Sequence, residues 1–285
     1  MTSTKSEIDQ SYSLSNDFFR LWLDEKMHYT SAFYETPDQS LEDAQINKSR
    51  LLYDYAELDS TKTVLDIGCG WGSNIEYIVG RGIKEAHGVT LATEQYNECV
   101  SRNLPNATFW CQDYVDHVPT APYDALVSIE MVDHVVSPAQ SHEGKAIELY
   151  RKYFNKCATF LKPGGLFAFQ SILRNRVPRT KKDIQDLKFT ADIIFPGGIN
   201  ARLEELVTAV NPSFEIEELV TQRVHYGKTT GEWLNRLRHH EKTIREQWGD
   251  EVFVDYERYL DTCVRAFKNH WSSDVRMKLR HIVID

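Results

Sequence analysis

Several things are scarce in this sequence, and each shortage removes a class of protein. Its five cysteines (Cys69, Cys99, Cys111, Cys157 and Cys263) stand far apart, with no CxxC pair. That spacing fits reduced thiols in a cytoplasm and argues against a disulfide framework or a zinc centre, so no metal is expected. No apolar run approaches the roughly 18–20 residues that a membrane-crossing helix needs. The opening MTSTKSEIDQSYSLSND is polar and does not read as a signal peptide. Basic charge is in deficit, with 33 Lys and Arg against 42 Asp and Glu and a net charge of −9. A nucleic-acid partner wants a basic surface, so none is expected. Internal repeats and low-complexity stretches are missing as well. What is abundant is core-forming material: 41% of the 285 residues are hydrophobic and 12% aromatic.

The chain divides by rhythm. Residues 1–60 read as a helical, aromatic-rich segment, with Phe18, Phe19, Leu21, Trp22 and Leu23 close together and LEDAQINKSRLLYDYAEL as a second helix. Residues 61–173 alternate strand and helix: TVLDIG, AHGVTL, ATFWCQD, YDALVSIEM and GGLFAFQSIL are strands, and 145–160 is a helix. Such alternation implies an α/β fold with a mostly parallel, doubly wound sheet covered on both faces. Residues 174–285 break the rhythm. The basic polar stretch LRNRVPRTKKDIQDLKF leads to the turn signal IFPGG and a strand-like FEIEELVTQRVHY. Helices over 230–248 and 251–271 and a last strand, RMKLRHIVI, follow; this part is expected to cap the central core.

The sharpest motif is Asp66-Ile67-Gly68-Cys69-Gly70-Trp71-Gly72, directly after a strand and opening a helix. Alternate glycines let the backbone turn tightly and approach a ligand with no Cβ in the way. The spacing is GxGxG, not the GxGxxG of dinucleotide folds, so a nicotinamide oxidoreductase has little support. A carboxylate just before the glycines suits a nucleoside carrying an amino acid, whose ammonium wants Asp66 nearby. The second strand ends in Val89-Thr90-Leu91, with no acid there for a ribose. Asp113, just past the third strand, is placed to meet the base of such a ligand; the alternative is a turn aspartate capping the next segment. Asp133 and His134 close the fourth strand, the edge where open α/β sheets meet ligands, and either could take a proton from a substrate. The competing reading makes Asp133 a helix cap and His134 its packing partner. The run Arg174, Arg176, Arg179, Lys181 and Lys182 is either a solvated loop or a greeting for an anionic head such as a prenyl diphosphate.

Taken in order, the segments YSLSNDFFRLWLD and HYTSAFYE, then LEDAQINKSRLL, VLDIGCGWGS and GVTLATEQ, then IFPGG, HYGKTTGEW and YERYLDTCVRAF, resemble the cyclopropane-fatty-acid synthase family, which includes mycolic acid cyclopropane synthases. The likeness spans nearly the whole chain. It implies a Rossmann-like class I methyltransferase fold, with S-adenosylmethionine (SAM) as cofactor. Residue by residue, it implies that Tyr29 closes over the cofactor and that Gly68 and Gly70 hug its methionine part. Thr90, Leu91 and Gln95 replace the acid of other families, Asp113 lies near the adenine, and Ile129 completes the cofactor set. Family members that methylate lipid double bonds hold a bicarbonate as base through a Cys, a Glu, a His and a Tyr. Here those positions carry Ser31, Asp133, Gln170 and Tyr226, so only the tyrosine is kept.

The catalytic set expected from this is Asp133, His134 and Tyr226, with Ser31, Gln170, Arg174, Phe195 and Trp233 toward the acceptor. The expected reaction is C-methylation of an unsaturated lipid, isoprenoid or related natural product through a carbocation, which aromatics such as Tyr34, Phe195, Tyr226 and Trp233 would shield. The alternatives are N-methylation of a small amine or alkaloid, and a SAM-binding module without catalysis. The partner is expected to be a small-molecule or lipid-like acceptor, and a homo-oligomer is compatible with everything read so far.

Overall fold

The computed structural model describes residues 4, 5, 8 and 14–283. Tyr12 and Ser13 of the opening motif lie outside them. The centre is a seven-stranded sheet in the order β3-β2-β1-β4-β5-β7-β6. Its strands are β1 (Thr63–Ile67), β2 (Glu85–Thr90), β3 (Ala107–Cys111), β4 (Tyr123–Ile129), β5 (Leu161–Arg174), β6 (Phe214–Thr221) and β7 (Ser272–His281). The first five pair in parallel. The last strand inserts antiparallel between β5 and β6. Strand order reverses direction at β1 and β4, and ligands of open α/β sheets bind outside the carboxyl ends at such a switch point.

Both faces of the sheet are buried, and the two-residue side-chain period sorts them. Leu65, Ile67, Phe167 and Phe169 join one core cluster. Their neighbours Val64 and Ala168 join the other. Helices α3 (Ser73–Gly80), α4 (Thr93–Ser101) and α6 (Ala146–Ala158) are the crossovers that cover these faces, with the short α5 (Pro138–His142) ahead of α6 and α8 (Leu203–Val210) packed against α6.

A third core is aromatic and joins segments far apart in sequence. The N-terminal helices α1 (Asn16–Arg20) and α2 (Leu41–Tyr55) pack against α9 (Arg223–His239), α10 (Glu241–Trp248) and α11 (Asp250–Lys268). Phe18, Phe19, Trp22 and Trp233 are fully buried there. Burying side chains of this size contributes about 1.5–3 kcal/mol each, enough to hold the N-terminal segment down. Polar ties add direction: Arg236 grips Glu42 through two bonds of 2.8 and 2.9 Å. The Trp71 indole donates to Asn16 at 2.7 Å, which fixes α1 over the glycine loop.

Three local expectations need correction. The segment FEIEELVTQRVHY is a strand only to Thr221; α9 begins at Arg223 and carries HYGKTTGEW on helix. The two helices expected over 230–271 are three, broken at His240 and at Gly249, whose φ of 96° ends a right-handed helix. Within the basic stretch, α7 (Lys181–Phe189) forms because the Thr180 side chain caps it, accepting from the Asp183 N–H.

Candidate active site

A cavity of about 740 Å³ opens at the carboxyl ends of β1, β2 and β4, in the size range of small-molecule sites. It extends beneath α7, the 190–200 turn and α11. One part is built on the glycine loop. Gly68 and Gly70 have φ of 79° and 54°, the left-handed region that favours glycine. A Cβ on Gly70 would meet nothing within 4 Å, so that glycine faces open cavity. Asp66 lies beneath the loop, 1% exposed, with Oδ2 accepting from Asn74 at 2.9 Å. Its Oδ1 has no hydrogen-bond partner among the described residues. Burial pushes its pKa up to about 6, against the opposing pull of Asn74 and Lys48. A buried carboxylate oxygen in want of a donor fits the ammonium of SAM.

Thr90, Leu91, Gln95, Ile129 and Tyr29 also line the cavity. The Thr90 hydroxyl donates to Gln95 Oε1 at 3.0 Å, which fixes the amide at the end of β2, where no acid stands. Tyr29 rests against Phe19, Trp22, Trp233 and Phe195, and its hydroxyl donates to that of Tyr259 at 3.0 Å. Asp113 is placed differently from the expectation. It caps the short helical turn Tyr114–Asp116, accepting from Val115 N–H at 3.0 Å, and is not among the lining residues; its neighbours Gln112 and Tyr114 are.

The second part gathers Asp133, His134, Tyr226, Phe195 and Arg174 around the end of β4. The turn at 195–200 can approach because Gly198 lacks a side chain: a Cβ there would lie 2.5 Å from the Asp133 carbonyl oxygen. At the centre is a residue that sequence reasoning passed over, Glu130. Its φ of 60° puts a non-glycine residue in left-handed conformation, a strain of about 1–3 kcal/mol that clusters at functional sites. The strained turn aims the carboxylate at three donors. The Ser31 N–H reaches Oε1 at 3.0 Å, Gln170 Nε2 reaches it at 2.9 Å, and the Tyr226 hydroxyl reaches Oε2 at 2.6 Å. Gln170 is fixed in turn by Arg276, whose Nε donates to its Oε1 at 2.9 Å. Arg276 is itself 1% exposed and paired with Asp274 at 3.2 Å.

The two carboxylates of this part differ in state. Asp133 accepts from the Ser171 hydroxyl at 3.0 Å and from the Ile172 backbone, and its Oδ2 has no partner among the described residues. Burial, and then the nearby Glu130 charge, push its pKa well up. Burial raises Glu130 too, but Tyr226, Ser31 and Gln170 donate to it and Lys48 attracts it. When like charges share a dry site, the carboxylate with more donors keeps the charge. Glu130 is therefore the ionised member and Asp133 holds the proton. The Tyr226 phenol, pushed well up by burial and by Glu130, stays a donor. Burial lowers His134 to about 4, so its imidazole is neutral near pH 7.

Four expected acceptor residues do other work. Ser31 and Gln170 are fully buried behind Glu130 and do not line the cavity. Trp233 is also fully buried, packed on Trp22, Tyr29 and Tyr226 in the aromatic core rather than facing the cavity. Arg174 lines it, but its guanidinium is held by Glu205 at 2.8 Å, Ser141 at 2.9 Å and the Asn200 carbonyl at 2.8 Å. Lys182 is likewise paired with Asp186 at 2.6 Å. The signal that could have found Glu130 is the lone acid that ends the apolar strand ALVSI.

Solved structures share this architecture. The cyclopropane synthase MmaA2 from Mycobacterium tuberculosis aligns with a TM-score of 0.89 at 25% identity, over 98% of this chain and 99% of that one. The mycolic acid cyclopropane synthase CmaA1 complexed with SAH and CTAB aligns with a TM-score of 0.88 at 24% identity, with the same coverage. Coclaurine N-methyltransferase shares the fold, with a TM-score of 0.81 at 18% identity, covering 98% of this chain and 82% of that one. In sequence, cyclopropane mycolic acid synthase 2 of Mycobacterium bovis is 28% identical, covering 93% of this chain and 91% of its own. Hydroxymycolate synthase MmaA4 of M. tuberculosis is 30% identical, covering 93% and 89%. Fold, glycine loop and relatives together define a SAM-dependent methyltransferase of the Rossmann-like class I type. The sequence model of the mycolic acid cyclopropane synthetase family matches residues 1–276, and the chain belongs to that family.

Proposed function

We propose that this protein methylates a carbon of a double bond in a lipid-like acceptor and that the reaction passes through a carbocation. The observation that carries the reading is one continuous cavity, with the glycine loop in one part and an aliphatic and aromatic wall in the other, including Ile172, Ile184, Leu187, Phe195 and Ile199. SAM supplies an electrophilic methyl on a positive sulfur, so that the double-bond pair forms the new carbon–carbon bond while the sulfur keeps the pair of the bond that breaks. The chain's own contribution is orientation, exclusion of water and removal of a proton. Asp66, Gly68, Gly70, Thr90, Leu91, Gln95 and Ile129 hold the cofactor, and Tyr29 from the N-terminal segment 1–60 closes over it. The segment 174–285 holds the acceptor. Phe195 and Tyr259 line the wall and bring aromatic rings to the side where positive charge would develop. The relatives support a lipid acceptor, since their names are those of mycolic acid synthases. With Arg174 and Lys182 neutralised, a diphosphate head has less to meet, although Arg176 and Lys188 remain in the lining.

The test is S-adenosylhomocysteine release with unsaturated phospholipids, prenyl diphosphates, and small amines or alkaloids, offered separately. Turnover with the unsaturated lipids is expected. Turnover with amines alone would replace this reading by N-methylation.

A further inference from the structure

We infer that Glu130 is the catalytic base, a carboxylate supplied by the chain itself, which makes the protein independent of any anion from solution. The inference rests on the reading above, because carbon methylation through a cation leaves a C–H proton that a base inside the dry cavity must remove.

The geometry is that of a built anion site already filled from within. Glu130 lines the cavity at the junction of its two parts. Its carboxylate accepts from Ser31 N–H, Gln170 Nε2 and the Tyr226 hydroxyl, at 3.0, 2.9 and 2.6 Å. Those donors come from three separate segments, and each is buried. Behind them the Arg276 guanidinium polarises Gln170 at 2.9 Å, and its Nη2 donates to the Ala32 carbonyl at 3.3 Å. A free anion of carboxylate shape and a Glu130 side chain cannot share this place. The backbone strain at φ 60° is what brings the side chain there from the end of β4. The remaining charged groups around it are Asp133, whose Oδ2 has no partner among the described residues, Lys48, held by the Thr30 hydroxyl at 3.1 Å, and Asp274, fully buried beside Arg276. None competes for the role: Asp133 keeps its proton, Lys48 is a cation, and Asp274 does not line the cavity.

The step balances simply. Once the acceptor carries the new methyl group and a positive charge, one C–H bond breaks and its proton goes to a Glu130 oxygen. If the bond belongs to the new methyl group, its electron pair closes a cyclopropane ring onto the cationic carbon; if it belongs to a carbon next to the cation, the pair forms a double bond. Glu130 returns the proton to water when product leaves.

The experiment uses the full chain, wild type and two variants. Wild-type turnover on unsaturated phospholipid in carbon-dioxide-depleted buffer is expected to be unchanged by added bicarbonate. Glu130→Gln should lower turnover at least about a hundredfold, the usual scale of general-base catalysis, with SAM affinity by calorimetry unchanged. Glu130→Gly relieves the left-handed strain, so it should fold, and it vacates the anion place. Formate or bicarbonate should then raise its melting temperature, which they should not do for wild type, and should restore part of its turnover. Bicarbonate stimulation of the wild type, or more than a tenth of the activity left in Glu130→Gln, would overturn the inference. So would a formate shift equal in wild type and Glu130→Gly. Silence of the wild type on every unsaturated acceptor would overturn the acceptor reading instead, and the formate shift would still decide whether Glu130 fills an anion site.

Discussion

Gly68 and Gly70 stand two residues apart in the same loop, yet alanine at each should fail in a different way. Both have positive φ, 79° and 54°, and alanine in the left-handed region costs about 1–2 kcal/mol. At Gly68 the new methyl would also meet Met131 Cγ at 2.7 Å and its Cβ at 2.8 Å. The Cβ cannot swing aside as a side-chain tip can, so an overpacking cost of about 1–3 kcal/mol is added. Gly68→Ala should therefore lose roughly 2–5 kcal/mol of folding stability by these two costs. Gly70→Ala should lose only the backbone cost, since nothing lies within 4 Å of its Cβ. What Gly70→Ala places in that open space stands in the way of the cofactor, and SAM affinity should fall at least about tenfold, or 1.4 kcal/mol. Urea denaturation read at constant slope gives the first quantity, and calorimetric titration of the folded protein with SAM gives the second. Equal destabilisation of the two variants would refute the packing account of Met131. Unchanged SAM binding by Gly70→Ala would remove the loop from the cofactor site.

Other expectations follow from single groups. With Asp66 near 6 before the cofactor binds, its neutral form takes over below that pH and the ammonium loses its partner. SAM affinity should be flat above pH 7 and fall by about tenfold per unit below pH 6; a flat profile from pH 5 to 8 would show that Asp66 does not meet the ammonium. Asp133→Asn replaces a protonated acid by an amide of the same shape, so turnover and cofactor affinity should both stay close to wild type; a loss of turnover of about tenfold or more would show that Asp133 itself moves a proton and would contradict its assignment as the neutral member of the pair. Trp233→Ala should cost about 3–5 kcal/mol of stability, as large aromatic deletions in cores do; a loss of acceptor affinity at full stability would instead restore it to the pocket. Asp186 is held down to about 2 by Lys182, Arg258 and Arg265, which outweigh its burial. Its folded pKa lies below the unfolded one, so the stability it gives is present above about pH 4 and lost as pH falls toward 2. Asp186→Asn should flatten that part of the acid-unfolding profile, and an unaltered profile would assign the acid sensitivity elsewhere.

How much of this could be read from the chain depends on how local the cause is. The β1–loop–α3 unit was legible because its signal lies within a few residues: a β-branched run, then alternate glycines, then a helix. The parallel sheet followed from the alternation of elements over 61–173, and the cofactor from the loop and from family likeness. Boundaries were harder where β-branched and basic residues mix, as at Val220 to Val224, because the same residues serve a strand edge or a helix start until packing chooses.

The tertiary structure alone decided which polar group does what. Asp113 fits a ligand contact and a cap equally well in sequence, and its backbone neighbour Val115 claims it. Arg174 looks like a free cation until Glu205, 31 residues on, neutralises it. Trp233 looks like a pocket aromatic until Trp22 and Tyr226 enclose it. Glu130 is the clearest case, because its donors lie 40, 96 and 99 residues away, at Gln170, Tyr226 and Ser31. Sequence determines a backbone pattern through neighbours a few positions apart. A buried charge is governed by whichever donors the fold brings within 3 Å, and nothing in the order of residues encodes that distance directly.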